Sequence, residues 1–119
     1  MRAALEVRGG KVHILGETWT IIPKSKDHDE YLKECDGYAD KTTRTIVIPD
    51  GPPQDNELGD WKIYLKKIKR HEILHAFLFE SGLHENFTHP QFGHDETYLD
   101  WFAAQFPKIL AAYEEADAL

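Results

Sequence analysis

Residues 60–82 read DWKIYLKKIKRHEILHAFLFESG, and this stretch decides the fold of the chain. Its apolar residues recur at three- and four-residue spacing, which is typical of an amphipathic helix. Asp60 suits the N-cap and Gly82 suits the position just after the last turn, so the helix is predicted to lie between them. The predicted inward-facing stripe consists of Tyr64, Ile68, His71, His75, Leu78 and Phe79.

Within this helix, residues 71–75 read His-Glu-Ile-Leu-His, which is an H-E-x-x-H motif. Two imidazoles four residues apart lie one turn apart on the same helix face, so His71 and His75 can bind one metal ion. Glu72 then lies beside that ion and is predicted to act as the general base that takes a proton from a metal-bound water. The pattern predicts a zinc hydrolase. The alternative is a pair of core histidines held by hydrogen bonds.

A catalytic zinc site needs a third protein ligand and an open position for water. The metzincin extension is absent, because Leu78 and Ser81 stand where it requires glycine and histidine. Glu96 is the preferred ligand, because it is predicted to lie on the inward stripe of a second helix. Asp100, one turn later, suits a carboxylate that holds a ligand histidine by its other N–H. The downstream candidates are His84, His89, His94, Asp95, Glu96 and Asp100.

The group that stabilises the oxyanion formed when water adds to a carbonyl is left open by the sequence. Such a site needs a hydrogen-bond donor besides the metal. Four side chains are candidates: His94, Tyr98, His89 and Tyr38.

The first fifth of the chain is predicted to form strands. Val12 and Ile14 alternate with polar residues, as do Trp19 and Ile21, and a two-residue turn at Gly16-Glu17 joins the two strands. A further strand over 43–48 can be either the edge of the sheet or an interior strand. Asp27-x-x-Glu30 resembles a capping box, so a short helix is expected to follow it and to end at Gly37.

The last quarter is predicted to be a second helix that begins near His94 or Asp95 and is kinked or restarted at Pro107. The order of elements predicts one α+β domain over residues 1–119. In it, a small, mainly antiparallel sheet packs against the motif helix and the ligand-bearing C-terminal helix.

Composition narrows the classes of partner. The net charge of −7 disfavours a nucleic-acid surface, and the basic cluster Lys66, Lys67, Lys69 and Arg70 is expected on a solvated helix face. No apolar run is long enough for a membrane span, and charged residues interrupt any signal-peptide core, so a cytoplasmic protein is expected. The single cysteine, Cys35, excludes an internal disulfide.

The segments RHEILHAFLFESGL (70–83) and HDETYLDWFAAQFPKI (94–109) resemble the ImmA/IrrE-type metallopeptidases of bacteria and phages, particularly their short phage-encoded members. DGYADKTTRTIVIP (36–49) looks like the strand that precedes the motif helix in that family. The resemblance spans roughly residues 11–112. The residues that occupy the family's frame after the motif are Glu96, Leu99, Asp100, Phe102, Ala103 and Pro107. Leu99 and Asp100 depart from the family's alanine and asparagine.

This resemblance implies a minimal zincin of the gluzincin type, with zinc on His71, His75 and Glu96 and with Glu72 as the catalytic base. It implies an endopeptidase that cleaves a protein partner, a repressor being one such substrate. The alternative function is a catalytically silent, metal-stabilised protein-binding module of phage or prophage origin. The sequence leaves the oligomeric state and the cleavage specificity open.

Overall fold

The computed structural model describes residues 7–52, 58–82 and 96–119. In these ranges the chain forms a four-stranded sheet and two long helices, so the predicted α+β class is confirmed. The strands are β1 (Gly10–Ile14), β2 (Glu17–Lys24), β3 (Tyr38–Asp40) and β4 (Thr45–Pro49), in the order β1-β2-β4-β3. The helices are α1 (Leu58–Ser81), which carries the motif, and α2 (Glu96–Glu115).

The sheet is mixed rather than wholly antiparallel. β1 pairs with β2 and β3 pairs with β4 in antiparallel fashion, whereas β2 and β4 are parallel. Two of the three pairings are antiparallel, as the prediction of a mainly antiparallel sheet requires, and the parallel pairing of β2 with β4 was not predicted. The chain leaves the end of β2, crosses to the far edge to form β3, and returns as β4 between the two, and only such a crossover allows parallel pairing. The predicted strand over 43–48 is thus an interior strand, and β1 and β3 are the two edges in the described part of the chain.

The hairpin turn between β1 and β2 lies one residue earlier than predicted. Its two central residues are Leu15 and Gly16, with φ of +50° and +89°, and Glu17 already belongs to β2. Two positive φ angles are what a type I′ turn requires, and this turn matches the twist of the two strands. Glycine therefore stands at the second central position and not at the first.

The core lies between the inner face of the sheet and the two helices. The predicted alternation in β1 and β2 is confirmed, because these side chains are all buried: Val12, Ile14, Trp19 and Ile21. Ile46 and Ile48 of β4 extend this apolar face. The helices cover it with Ile73, Ala76 and Phe77 of α1 and with Ile109, Ala112 and Tyr113 of α2.

The outer face of the sheet is covered by the connection between β2 and β3. This connection holds two 3-10 turns, Lys26–His28 and Tyr31–Lys33, where one short helix was predicted. The capping residue is Asp29 rather than Asp27, because the Asp29 carboxylate accepts hydrogen bonds from the Tyr31 and Leu32 amides at 3.0 and 3.2 Å. Asp29 also lies 3.7 Å from the Lys24 ammonium, which fixes the connection against β2.

The ends of the two helices can be compared with the residues at which the sequence predicted them to begin and end. α1 begins at Leu58, before the predicted cap Asp60, and it ends directly before Gly82, whose φ of +82° confirms the predicted stop. α2 continues through Pro107, so the helix does not restart there, and the alternative prediction of a kink stays a prediction. His94 and Asp95, where its start was predicted, lie outside the described residues. No helix within the described ranges combines the length and apolar character needed to cross a bilayer.

The basic cluster on α1 is mostly engaged with the residues that follow α2. Lys66, Lys69 and Arg70 donate to the carbonyl oxygens of Leu119, Ala116 and Ala118 at 2.6, 3.1 and 2.9 Å. Lys69 is buried, and only Lys67 is exposed. The predicted solvated face is therefore wrong for Lys69, whereas Lys66 and Arg70 are partly exposed and Lys67 is exposed. The final turn after a helix presents carbonyl groups that such cationic side chains satisfy.

Candidate metal centre

The two motif histidines converge on one point. The Nε2 atoms of His71 and His75 lie 3.2 Å apart, and their ring centroids are 4.8 Å apart with the planes at 71°. The helical spacing alone explains why the rings are neighbours. That the two Nε2 atoms approach each other is a further property of the side-chain rotamers, and it is the geometry that a shared ion would require.

Both histidines are exposed rather than buried, which corrects the predicted inward stripe. The buried face of α1 lies beside them and includes Trp61, Ile68, Glu72, Ile73, Ala76 and Phe77. Residues three or four apart can form either of two adjacent stripes on a helix, so the period did not decide which stripe contacts the sheet. Exposed imidazoles on this stripe are accessible to a metal ion and to a substrate.

Glu72 is the buried acid of the motif, with 5% of its surface exposed. Burial raises the pKa of its carboxyl to about 7, and the nearby carboxylate of Asp36 adds to this rise. In the described part of the chain, no ion pair or hydrogen bond to Glu72 is found. A carboxyl with this environment is available for proton transfer and does not serve as a structural tie.

A cavity of about 290 Å³ connects Glu72 to His71. We call it the Glu72 cavity. Its lining residues are Cys35, Asp36, Gly37, Tyr64, Lys67, Ile68, His71 and Glu72. One wall is α1, and the other is the turn that leads into β3. The predicted base and one predicted ligand therefore border one concave space, as a reaction centre requires.

Gly37 allows the turn to lie this close to α1. A Cβ atom at this position would lie 2.9 Å from Cγ2 of Ile68, 3.0 Å from the carbonyl oxygen of Val47 and 3.5 Å from Cγ of Glu72. Any larger residue would push the turn away from the helix or displace the strand. The width of the Glu72 cavity thus depends on residue 37 being glycine, which has no Cβ atom.

Three further residues of this cavity were not predicted from the sequence as site residues. Tyr64 donates a hydrogen bond from its hydroxyl to the carboxylate of Asp36, and the ammonium of Lys67 lies 5.9 Å from the centre of the Tyr64 ring. Tyr64 lies seven residues before His71, two helical turns along the same stripe, so helical spacing could have identified it. Nothing in the sequence places Asp36 against this helix.

The third ligand cannot be placed from the described residues. Glu96 is the first residue of α2, but its side chain and that of Asp100 lie outside the described part, as do the whole residues His84, His89, His94 and Asp95. Among the side chains that are described, no group of three or more His, Cys, Asp or Glu residues has metal-binding geometry. Glu96 as a ligand stays a prediction.

Two of the four candidate oxyanion donors can be examined. The Tyr38 hydroxyl already donates to Asp29 at 2.7 Å, and burial together with this bond raises its pKa. Tyr98 stacks on Trp101 and Phe102, with ring centroids 5.9 and 6.4 Å apart. Tyr38 is therefore engaged in holding the outer connection, whereas Tyr98 stays a candidate. His89 and His94 lie outside the described residues.

Comparisons with protein-family models, with curated proteins and with solved structures find no match to this chain. The assignment of a function therefore depends on the motif, on the geometry around it and on the resemblance stated above.

Proposed function

We propose that this protein is a zinc-dependent endopeptidase, a minimal gluzincin-like zincin that cleaves a protein partner. His71 and His75 supply two ligands, Glu96 supplies the third, and Glu72 is the catalytic base. The observation that carries the proposal is the convergence of the two Nε2 atoms beside a buried carboxyl that pairs with no described residue.

The distance between the two nitrogens suits zinc. With Zn–N bonds of about 2.0–2.1 Å and a tetrahedral angle, two histidine nitrogens on one ion lie about 3.3 Å apart. The 3.2 Å between Nε2 of His71 and Nε2 of His75 agrees with this value. Nitrogen donors together with a carboxylate also form the ligand set that catalytic zinc sites use.

Each residue then has a defined part in hydrolysis. Zinc, when bound, supplies Lewis acidity and lowers the pKa of water. Glu72 accepts the proton of the attacking water and delivers it to the leaving amine, since a general base becomes an acid in the second half of the reaction. The low exposure of Glu72 excludes bulk water from this proton transfer.

The edge strand β3 is the place where a substrate would bind. Its residues 38–40 form the border of the sheet in the described chain, and α1 packs against the same region. An extended peptide can add to such an edge as a further strand, which satisfies its backbone hydrogen bonds. This mode of binding suits an unfolded or flexible segment of a protein such as a repressor.

The test begins with zinc stoichiometry, measured by elemental analysis after dialysis. We expect one zinc per chain in the wild type and a loss of binding in His71→Ala and His75→Ala. His13→Ala is the matched control, because His13 is also an exposed histidine but pairs with Glu115 at 3.0 Å far along the chain. Loss of zinc in His13→Ala to the same extent would contradict the assignment.

Hydrolysis of unfolded casein by the zinc-loaded protein tests the activity. We expect cleavage by the wild type and none by Glu72→Gln, which keeps the ligands. Zinc binding at one per chain with no cleavage of casein or of a random peptide mixture would instead support the silent binding module.

A further inference from the structure

A second cavity lies at the other end of the histidine pair. Its volume is about 500 Å³, and three aromatic rings line it, those of Tyr31, Tyr38 and Phe79. We call it the Phe79 cavity. Its remaining lining residues are Cys35, Ala39, Asp40 and Lys41. Phe79 lies one helical turn after His75, and the two rings stack with centroids 6.4 Å apart.

The Phe79 cavity lies at the edge of β3 that pairs with no described strand. Ala39 packs against the inner core, whereas Tyr38 lies on the outer face, where its hydroxyl contacts Asp29. Successive side chains of a strand point to opposite faces of the sheet. A cavity lined by both must therefore border the edge of the strand, where an added peptide strand would lie.

The two cavities share one wall. Cys35 lines both of them, His71 lines the Glu72 cavity, and the ring of His75 stacks on Phe79 in the other. Along α1, the lining residues extend from Tyr64 to Phe79, fifteen residues or about 22 Å at helical rise. The histidine pair therefore lies between the two cavities along the helix.

The polar groups of the Phe79 cavity are already engaged within the chain. The Tyr38 hydroxyl donates to Asp29, and the Cys35 thiol donates to the Tyr31 carbonyl at 3.1 Å. Asp40 accepts from the amide and the hydroxyl of Thr42 at 2.9 and 2.6 Å. The Lys41 ammonium lies 5.7 Å from the centre of the Phe79 ring. What this cavity offers a ligand is therefore aromatic surface, including Tyr31, which is 72% exposed.

We infer that the Phe79 cavity is a specificity subsite that binds a large apolar side chain of the peptide, on one side of the histidine pair. The inference depends on the proposed peptidase function for the path of the peptide. It also explains why cleavage would be internal, since cavities on both sides of the histidine pair would hold peptide on both sides of the cut.

The test uses the single cysteine as a reporter. In zinc-loaded Glu72→Gln, the rate of Cys35 alkylation by iodoacetamide is measured with three blocked heptapeptides of glycine and serine. They differ only at the central residue, which is phenylalanine, lysine or aspartate. Burial of one aromatic side chain is worth about tenfold or more in affinity. We expect the phenylalanine peptide to slow alkylation at about tenfold lower concentration than the other two.

Matched variants locate the effect. Tyr31→Ala should remove the preference for phenylalanine, and Tyr31→Phe should keep it, because the ring rather than the hydroxyl forms the wall. Ile63→Ala is the control, since Ile63 is 72% exposed on α1 and lines neither cavity. A preference that survives in Tyr31→Ala would overturn the subsite.

The outcomes separate this inference from the proposed function. Casein cleavage by the wild type together with equal protection by all three peptides would overturn the subsite and leave the peptidase intact. Selective protection by the phenylalanine peptide without hydrolysis of casein would support the subsite and overturn the peptidase.

Discussion

Glu72 and Glu80 are two glutamates on the same helix, and they behave in opposite ways. Glu80 accepts hydrogen bonds from the Trp19 indole at 2.7 Å and from the Arg44 guanidinium at 2.6 Å. The Arg44 bond, with help from Trp19, lowers the pKa of Glu80 against the effect of its partial burial. Burial raises the pKa of Glu72, which has no cationic partner in the described chain.

The difference shows what each carboxylate does for the molecule. Glu80 connects the end of α1 to the β1–β2 hairpin through Trp19 and to the segment before β4 through Arg44. Glu72 has no hydrogen bond or ion pair to any described residue, although it is the more deeply buried of the two. A buried acid without a partner costs stability, and such a cost is commonly found at functional sites.

The largest expected effect separates the two glutamates by activity. Glu72→Gln should reduce hydrolysis of casein by about 10²- to 10⁴-fold, because it removes the general base. Glu80→Gln, an identical chemical change eight residues later, should keep activity within about threefold, since Glu80 lines neither cavity and pairs with Trp19 and Arg44. Both rates are measured at the same zinc occupancy. Equal losses of hydrolysis in Glu72→Gln and Glu80→Gln would contradict the assignment of Glu72 as the general base.

Metal removal is the next largest effect. Zinc at 100 to 1,000 times its dissociation constant should stabilise the fold by about 2.7–4.1 kcal/mol, as any ligand of the native state does. Thermal unfolding with zinc and with a chelator measures this difference. We expect Glu80→Gln to keep the zinc-dependent shift and His75→Ala to lose it. A zinc-dependent shift of full size in His75→Ala would contradict the ligand assignment.

Glu80→Ala should destabilise the metal-free protein by about 1–3 kcal/mol, because the buried Trp19 indole loses its acceptor and Arg44 loses its partner. Glu72→Gln should leave metal-free stability unchanged or raise it, since it removes no hydrogen bond among the described residues and replaces a buried ionisable carboxyl with a neutral amide. Urea unfolding in the presence of a chelator measures both variants. A larger loss in Glu72→Gln than in Glu80→Ala would assign Glu72 a structural role.

Gly37→Ala tests the close approach that shapes the surroundings of Glu72. The added methyl group meets Ile68 and the Val47 carbonyl, so we expect a loss of about 1 kcal/mol and a lower activity of the zinc-loaded enzyme. Gly51→Ala is the matched control, because a Cβ there meets no atom within 4 Å. The free energy of unfolding and the rate of casein hydrolysis are measured in both variants. Equal values in Gly37→Ala and Gly51→Ala would show that the turn before β3 can move to accept the added methyl group.

The smallest effect is the pH dependence that Glu80 contributes. Its pKa is lowered in the folded state, so its stabilising contribution is present above the unfolded value of about 4.3 and is lost as pH falls through the folded pKa. The stability difference between the wild type and Glu80→Gln should therefore be constant near neutral pH and vanish in acid. Urea unfolding with a chelator from pH 7 to pH 3 measures it. A difference that grows in acid would contradict the assigned direction.

Local patterns predicted much of the fold. The alternation in β1 and β2, the long motif helix and its end at Gly82 follow from side-chain period and glycine conformation, which act within a few residues. The hairpin turn was misplaced by one residue. The parallel pairing of β2 and β4 was missed because it depends on which distant strands meet.

The candidate site likewise has features that follow from local sequence and features that depend on contacts between distant segments. The sequence by itself determined that His71 and His75 are neighbours on one helix face, with Glu72 beside them, because helical geometry fixes these positions. Only the tertiary structure decided that the histidine stripe is exposed and that Glu72 is buried, since this depends on how α1 rotates against the sheet. Tertiary packing also brought Asp36, Gly37 and β3 to the histidines, because these contacts join segments about 35 residues apart in the chain.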